Sequence, residues 1–189
     1  MSFFKNIFAK NTENSSLQKV QGEASGIRPT ISSMNEIIDN FLYLGSLPLD
    51  SDDERSIEKK GITDIINASM RERQYKIPVE SMMVEIEDSN DANIMVHFDK
   101  VADKIDRVMK HKGKVLVHCI SGVNRSSTLV IAYLMKYHNM TLKNAYSLVK
   151  QKRPMIGPKP GFWSQLVDYE MQLFGRNTET KDQLVWSVQ

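Results

Sequence analysis

Apolar positions recur along this chain at distinct spacings, and each spacing predicts a different element. Between 94 and 110, Ile94, Met95, Phe98, Val101, Ala102, Ile105, Val108 and Met109 fall on one face of a helical repeat, which predicts an amphipathic helix. Residues 125–137 are apolar nearly all round, so a helix there belongs at the centre of the molecule. Thr141 stands where it caps a helix carrying Leu142, Ala145, Tyr146 and Val149, stopped by Pro154. A last helix is predicted over 161–174, ending at Gly175. The charged stretch 51–60 reads as a helix closed by Gly61, and 71–76 as a polar loop with Arg71, Arg73, Tyr75 and Lys76. Strands are predicted over 41–44, 62–66 and 114–117. Met82, Val84 and Ile86 alternate with Met83, Glu85 and Glu87, so this segment also reads as a strand, giving way to a loop at Asp88. Strands interleaved with helices predict an α/β fold with a central sheet covered on both faces. The Met and aromatic positions of the helices, Trp163 included, read as core fillers.

The only cysteine, Cys119, follows the apolar run 114–117 and precedes the central helix, in His118-Cys119-Ile120-Ser121-Gly122-Val123-Asn124-Arg125-Ser126. A loop between strand and helix start aims successive N–H groups inward and forms an anion nest. The helix N-terminus adds unpaired N–H groups and the positive end of its dipole. Gly122 permits a left-handed turn and close approach of the backbone to a ligand. A cation at a helix start opposes the dipole, so Arg125 needs an anion to justify its position. Its guanidinium binds two phosphate oxygens at once. The same field lowers the pKa of a thiol from about 8.5 to roughly 3.5–7.5 and makes it a nucleophile at neutral pH. A core cysteine has no use for Gly, Arg and two hydroxyls at these offsets.

His118-Cys119 followed by Arg125-Ser126 resembles the signature loop of the cysteine-dependent protein phosphatases, and the text around it, VLVHCISGVNRSSTLVIAYLMKYHNM, resembles their dual-specificity branch. Residues 153–158 and 161–175 resemble the small atypical dual-specificity phosphatases. The resemblance covers roughly 35–175. It implies the α/β fold of that family, with a mixed, mostly parallel sheet flanked by helices on both faces. It also implies a two-step cysteinyl-phosphate mechanism on phosphotyrosine and on phosphoserine or phosphothreonine in proteins. Cys119 is then the nucleophile, and Arg125 binds phosphate and stabilises the transition state. Ile120, Ser121, Gly122, Val123, Asn124 and Arg125 line the substrate phosphate, Ser126 stabilises the leaving thiolate, and His118 buttresses the loop. Asp88, at the strand end upstream, is the general acid/base; Glu87 and Asp91 are weaker candidates. An unperturbed Asp is protonated only about one part in a thousand at pH 7. Either its surroundings raise the pKa of Asp88, with Glu87 one cause, or activity favours mildly acidic pH. No cofactor or metal is implied, and His97, His111, His118 and His138 show no ligand spacing.

Two positions depart from the family pattern. Asn124 stands where many relatives carry Ser, and Lys159-Pro160 follows Pro158 where relatives often carry Asn. Two readings of Lys159 stay open: a loosened signature loop, or an extra cation for a second phosphate.

Composition sets the remaining bounds. Apolar content of 41% and charged content of 25% are ordinary for a globular protein, and a net charge of +2 does not argue for nucleic acid. The longest apolar run, 129–135, is too short to span a bilayer. A lone reactive thiol suits a reducing compartment, the cytoplasm with the nucleus as a second location. The organisation read from the chain is a flexible tail over 1–32, a catalytic domain over 33–176 and a C-terminal tail over 177–189. Phe3, Phe4, Ile7 and Phe8, with Lys5 and Lys10, give the first tail an amphipathic start suited to a membrane surface or a partner, though so short a helix is marginal in water. Ser2 excludes myristoylation. Trp186 lies in an apolar patch of the last tail. Expected partners are phosphorylated signalling proteins, kinases among them. Alternatives are a non-protein substrate (a phosphoinositide, a glycan or an RNA 5′ end) and a phosphate-binding module without turnover. The uncharged Ile120, Ser121, Val123 and Asn124 do not suit a polyphosphorylated lipid.

Overall fold

The computed structural model describes residues 34–182. The expectations for Phe3, Phe4, Ile7 and Phe8, and for Trp186, lie outside the described residues.

Five strands form one sheet: β1 (Met34–Ile38), β2 (Leu42–Gly45), β3 (Asp64–Asn67), β4 (Glu80–Met83) and β5 (Val115–His118), in the order β1-β2-β5-β3-β4. Only β1 pairs antiparallel, with β2; the other pairs are parallel. The helices are α1 (Ser51–Lys59), α2 (Phe98–Lys110), α3 (Arg125–His138), α4 (Leu142–Lys152) and α5 (Pro160–Phe174).

Alternation along the strands separates two apolar layers. Val115 and Val117 of β5 face a large core with α2, α3, α4 and α5, whereas Leu116 faces a smaller cluster with Ile57 of α1, Tyr43 and Ile65. The sheet is therefore covered on both faces, as the interleaving of elements predicts. Helix α3 is central: all of Arg125 to Met135 is buried, in keeping with its unbroken apolar circumference.

Several boundaries differ from the sequence reading. The predicted strand running to Ile86 ends at Met83, because only as far as Val84, whose N–H donates to Asn67 O, does the segment follow β3. The helix predicted from 94 opens with a 3-10 turn, Met95–His97, and becomes α-helical at Phe98. Met109, placed on the buried face by its spacing, lies in the last turn of α2 and is 40% exposed, although the Tyr133 hydroxyl of α3 reaches its Sδ at 3.9 Å. Strand β3 starts at Asp64 rather than Ile62. Strand β1 has no clear apolar alternation and was not predicted; it forms by pairing with β2 across a turn where Asn40 takes a left-handed φ of 54°. Thr141 caps α4 as expected, its Oγ1 accepting from Asn144 N–H at 3.3 Å. Trp163 is 2% exposed, packed edge-on to Tyr146, and its indole N–H donates to Thr180 O at 2.9 Å, which holds the segment after α5 against the domain.

Because β2, β3, β4 and β5 run parallel, their carboxyl ends share one edge of the sheet. Cys119 follows β5, the middle strand, and Asp88 lies beyond the end of β4 at the same edge. Open α/β sheets bind ligands outside this edge.

Candidate active site

The loop from Cys119 to Asn124 is shaped by what captures its carbonyl groups. Ile120 O accepts from Leu47 N–H at 3.1 Å, and Val123 O from Gly157 N–H at 2.9 Å. The Arg153 guanidinium takes the two between them, with Nε 2.9 Å from Gly122 O and Nη2 3.2 Å from Ser121 O. Asn124 O begins helix α3, accepting from Thr128 N–H and from the Thr128 and Ser127 hydroxyls. Each carbonyl from 120 to 124 is thereby turned away from the loop centre, and the N–H groups are left facing inward. Gly122 turns the chain with a φ of 68° and passes so close to β2 that a Cβ would lie 2.5 Å from Gly45 C and O.

Cys119 sits at the floor of this cup, 1% exposed. Burial alone would raise the thiol pKa. The Ser126 hydroxyl, the backbone N–H groups of Ser126 and Gly122 and the charge of Arg125 outweigh burial and hold it below the usual thiol value. The Ser126 Oγ lies 3.2 Å from Sγ. Arg125, 4% exposed, donates through Nη1 to Ile86 O at 3.1 Å and reaches Asp88 Oδ2 with Nη2 at 3.4 Å. Its Nε is buried and has no hydrogen-bond partner among the described residues. An orphaned charged donor costs stability and points to a ligand.

His118 packs behind the loop. Its Nδ1 faces Cys119 O at 3.3 Å and its Nε2 faces Tyr75 Oη at 2.8 Å. A carbonyl only accepts, so Nδ1 carries the proton and Nε2 accepts from the tyrosine. Burial lowers the ring pKa to about 4, which keeps it neutral.

The chain's residues 42–172 match the family model for the dual specificity phosphatase, catalytic domain. The chain belongs to the dual-specificity phosphatase family. Human dual specificity protein phosphatase 14 is 44% identical over 159 residues, which cover 84% of this chain and 76% of that one. Mouse dual specificity protein phosphatase 18 is 37% identical over 152 residues, 80% of each chain. Among solved structures, human DUSP28 superposes with a TM-score of 0.70 at 28% identity, covering 79% of this chain and 99% of its own. The human tyrosine phosphatase-like serine/threonine/tyrosine-interacting protein superposes with a TM-score of 0.68 at 31% identity, covering 74% and 96%.

The structure brings together the signature loop of this dual-specificity phosphatase and the segment after β4. Asp88, rather than Glu87 or Asp91, is the carboxylate that meets the Arg125 guanidinium. Of the two alternatives for Asp88, a pKa raised by its surroundings is not the one its contacts favour. Burial does push it up, but hydrogen bonds from Lys159 and Asn124 and the charges of Arg125 and Lys159 prevail and hold it below the ordinary carboxylate value. The Lys159 ammonium is paired within the site, 2.6 Å from Asp88 Oδ1. Asn124 links the two loops: Nδ2 donates to Asp88 Oδ1 at 2.6 Å, and Oδ1 accepts from Lys159 N–H at 2.8 Å.

Arg153 is the site residue that sequence reasoning missed as such. It is 1% exposed, and its Nη1 also donates to Asn35 Oδ1 at 2.6 Å on β1. The signal was an arginine immediately before the proline that ends a helix, where the solvated reading is the ordinary one.

Proposed function

We propose that this chain dephosphorylates phosphotyrosine and phosphoserine or phosphothreonine in proteins through a cysteinyl-phosphate intermediate. The observation that carries the reading is the convergence of inward N–H groups, the unpartnered Arg125 Nε and the acidified Cys119 thiol in one cup. A tetrahedral dianion seated there accepts hydrogen bonds from the loop N–H groups and from Arg125. The Cys119 thiolate attacks phosphorus, the bond to the leaving oxygen breaks, and Asp88 gives that oxygen its proton. Asp88, now a carboxylate, takes a proton from water as the water attacks the phosphocysteine. The P–S bond then breaks, inorganic phosphate leaves, and the thiolate returns to the Ser126 hydroxyl.

The depressed pKa of Asp88 fixes the pH dependence. Its protonated fraction falls as pH rises above a value lower than the ordinary carboxylate pKa, so the alkaline limb of kcat/KM begins early. The maximum is expected below pH 7. Phosphorylated signalling proteins, kinases among them, are the proposed substrates.

The contrary reading is a phosphate-binding module without turnover; one of the similar structures carries the name of a phosphatase-like interacting protein. Cys119→Ser separates the two. Loss of turnover on an aryl phosphate, with phosphotyrosyl and phosphothreonyl peptides still bound, supports the proposal. Retained turnover in Cys119→Ser, or no turnover by the native chain, overturns it.

A further inference from the structure

Most charged clusters away from the cup fasten the fold. Lys104 bridges Asp64 and Glu80, and Lys136 bridges Asp99 and Asp103. Lys159 is different, because its partner is the carboxylate proposed above as the acid. It stands at the N-cap of α5 with extended backbone and makes no side-chain cap bond. A cation in that position is opposed by the helix dipole, so it needs an external anion. Its Nζ meets Asp88 Oδ1 at 2.6 Å and also donates to the Asp88 carbonyl. Its backbone N–H donates to Asn124 Oδ1, and Asn124 returns a bond to the same Asp88 oxygen. The loop after β4, the signature loop and the start of α5 are thus closed into a three-cornered link. Gly161 N–H to Asn90 Oδ1 at 3.3 Å and Gln165 Nε2 to Ala92 O at 2.9 Å extend the attachment of α5 along that loop.

We propose that Lys159 is a positioning residue that ties Asp88 to the rim of the signature loop and restrains turnover at neutral pH. The proposal rests on the reading of Asp88 as the acid. The charged and polar groups that face Asp88 are Lys159 at the cap of α5 and Asn124 and Arg125 at the start of α3; Glu87 and Asp91, of its own sign, flank it in sequence. A general acid acts in its protonated form, and an ammonium against the carboxyl favours the ionised one. Arg125 and Asn124 also serve the bound phosphate loop, so Lys159 is the partner that can be altered without touching the cup.

The test compares kcat/KM against pH for the native chain, Lys159→Met, Lys159→Arg and Asp88→Asn, with phenyl phosphate as substrate. Lys159→Met keeps the backbone N–H to Asn124 and loses the ammonium together with its two contacts to Asp88. Its alkaline limb is expected at higher pH than in the native chain, with kcat/KM at pH 7 raised about two- to fivefold, the worth of a part-exposed ion pair. Lys159→Arg, which retains the charge, is expected to keep the native limb. A uniform change at every pH with the limb unmoved means that the pair only fastens the loop, and overturns the proposal. So does a limb that moves equally in Lys159→Arg. Asp88→Asn tests the underlying reading separately: it loses the alkaline limb if Asp88 is the acid, and an unchanged limb refutes that assignment whatever Lys159 does.

Discussion

Arg153 Nε lies 2.9 Å from the carbonyl oxygen of Gly122, a residue 31 positions earlier in the chain. This contact, with the second from Nη2 to Ser121 O, turns the middle of the signature loop inside out. The N–H groups that face the thiol do so because the carbonyls are held by a buried guanidinium.

Removal of that guanidinium is therefore expected to damage both stability and the cup. Arg153→Met leaves the buried Gly122 carbonyl without its donor and takes the second donor from the Ser121 carbonyl, at a cost of about 3 kcal/mol. It also frees the loop to turn a carbonyl toward the phosphate, with kcat/KM falling on the order of 100-fold. Arg153→Lys is expected to recover little, because an ammonium cannot fork between two carbonyls and Asn35. Urea denaturation and steady-state kinetics on one preparation check both parts; native kinetics in Arg153→Met would refute the assigned role.

Ser126 is expected to act late in turnover. Its hydroxyl is 3.2 Å from Cys119 Sγ, within reach to stabilise the thiolate that the proposed mechanism releases from phosphorus. In Ser126→Ala the second step slows, and kcat falls about 10- to 100-fold, the worth of a hydrogen bond to a charged group. The first turnover is affected less, so stopped-flow mixing with p-nitrophenyl phosphate should show a burst of one product per site. The pH profile of iodoacetamide alkylation of Cys119 should move upward in the same variant. Absence of a burst, with native alkylation, would remove Ser126 from this role.

His118 gives the fold an acid sensitivity. Burial depresses its pKa to about 4, whereas the unfolded chain binds this proton at about 6.5. Between these values the unfolded state holds more protons, so stability is full above about pH 6.5 and falls as pH drops toward 4. The loss over that window is on the order of 3 kcal/mol for this residue. Urea midpoints between pH 7 and 4 should decline, and His118→Gln, which cannot titrate, should show a shallower decline. Equal slopes in the two proteins would exclude His118 as the source.

Much of the fold is legible in the chain because local periodicity carries it. Helices α3 and α4 and the strand before Cys119 follow from spacing, cap and stop residues. The family's signature loop is legible too, since a thiol, a glycine and an arginine between strand and helix have few other uses. What was misread depends on neighbours distant in sequence. Strand β1 exists because β2 offers a pairing edge, and the segment after Met83 leaves the sheet because its pairing with β3 goes no further than Val84.

The sequence alone determined the alternation of elements, the buried centre at α3 and the place of the cysteine loop at the end of β5, because each is a property of residues within one turn or one strand. Only the tertiary structure decided that Arg153 holds the signature loop and that Lys159 and Asn124 both contact the Asp88 carboxyl. Charge pairing and carbonyl capture depend on distance in space, and the folded sheet, by ending its parallel strands along one edge, is what brings residues 88, 124, 153 and 159 together.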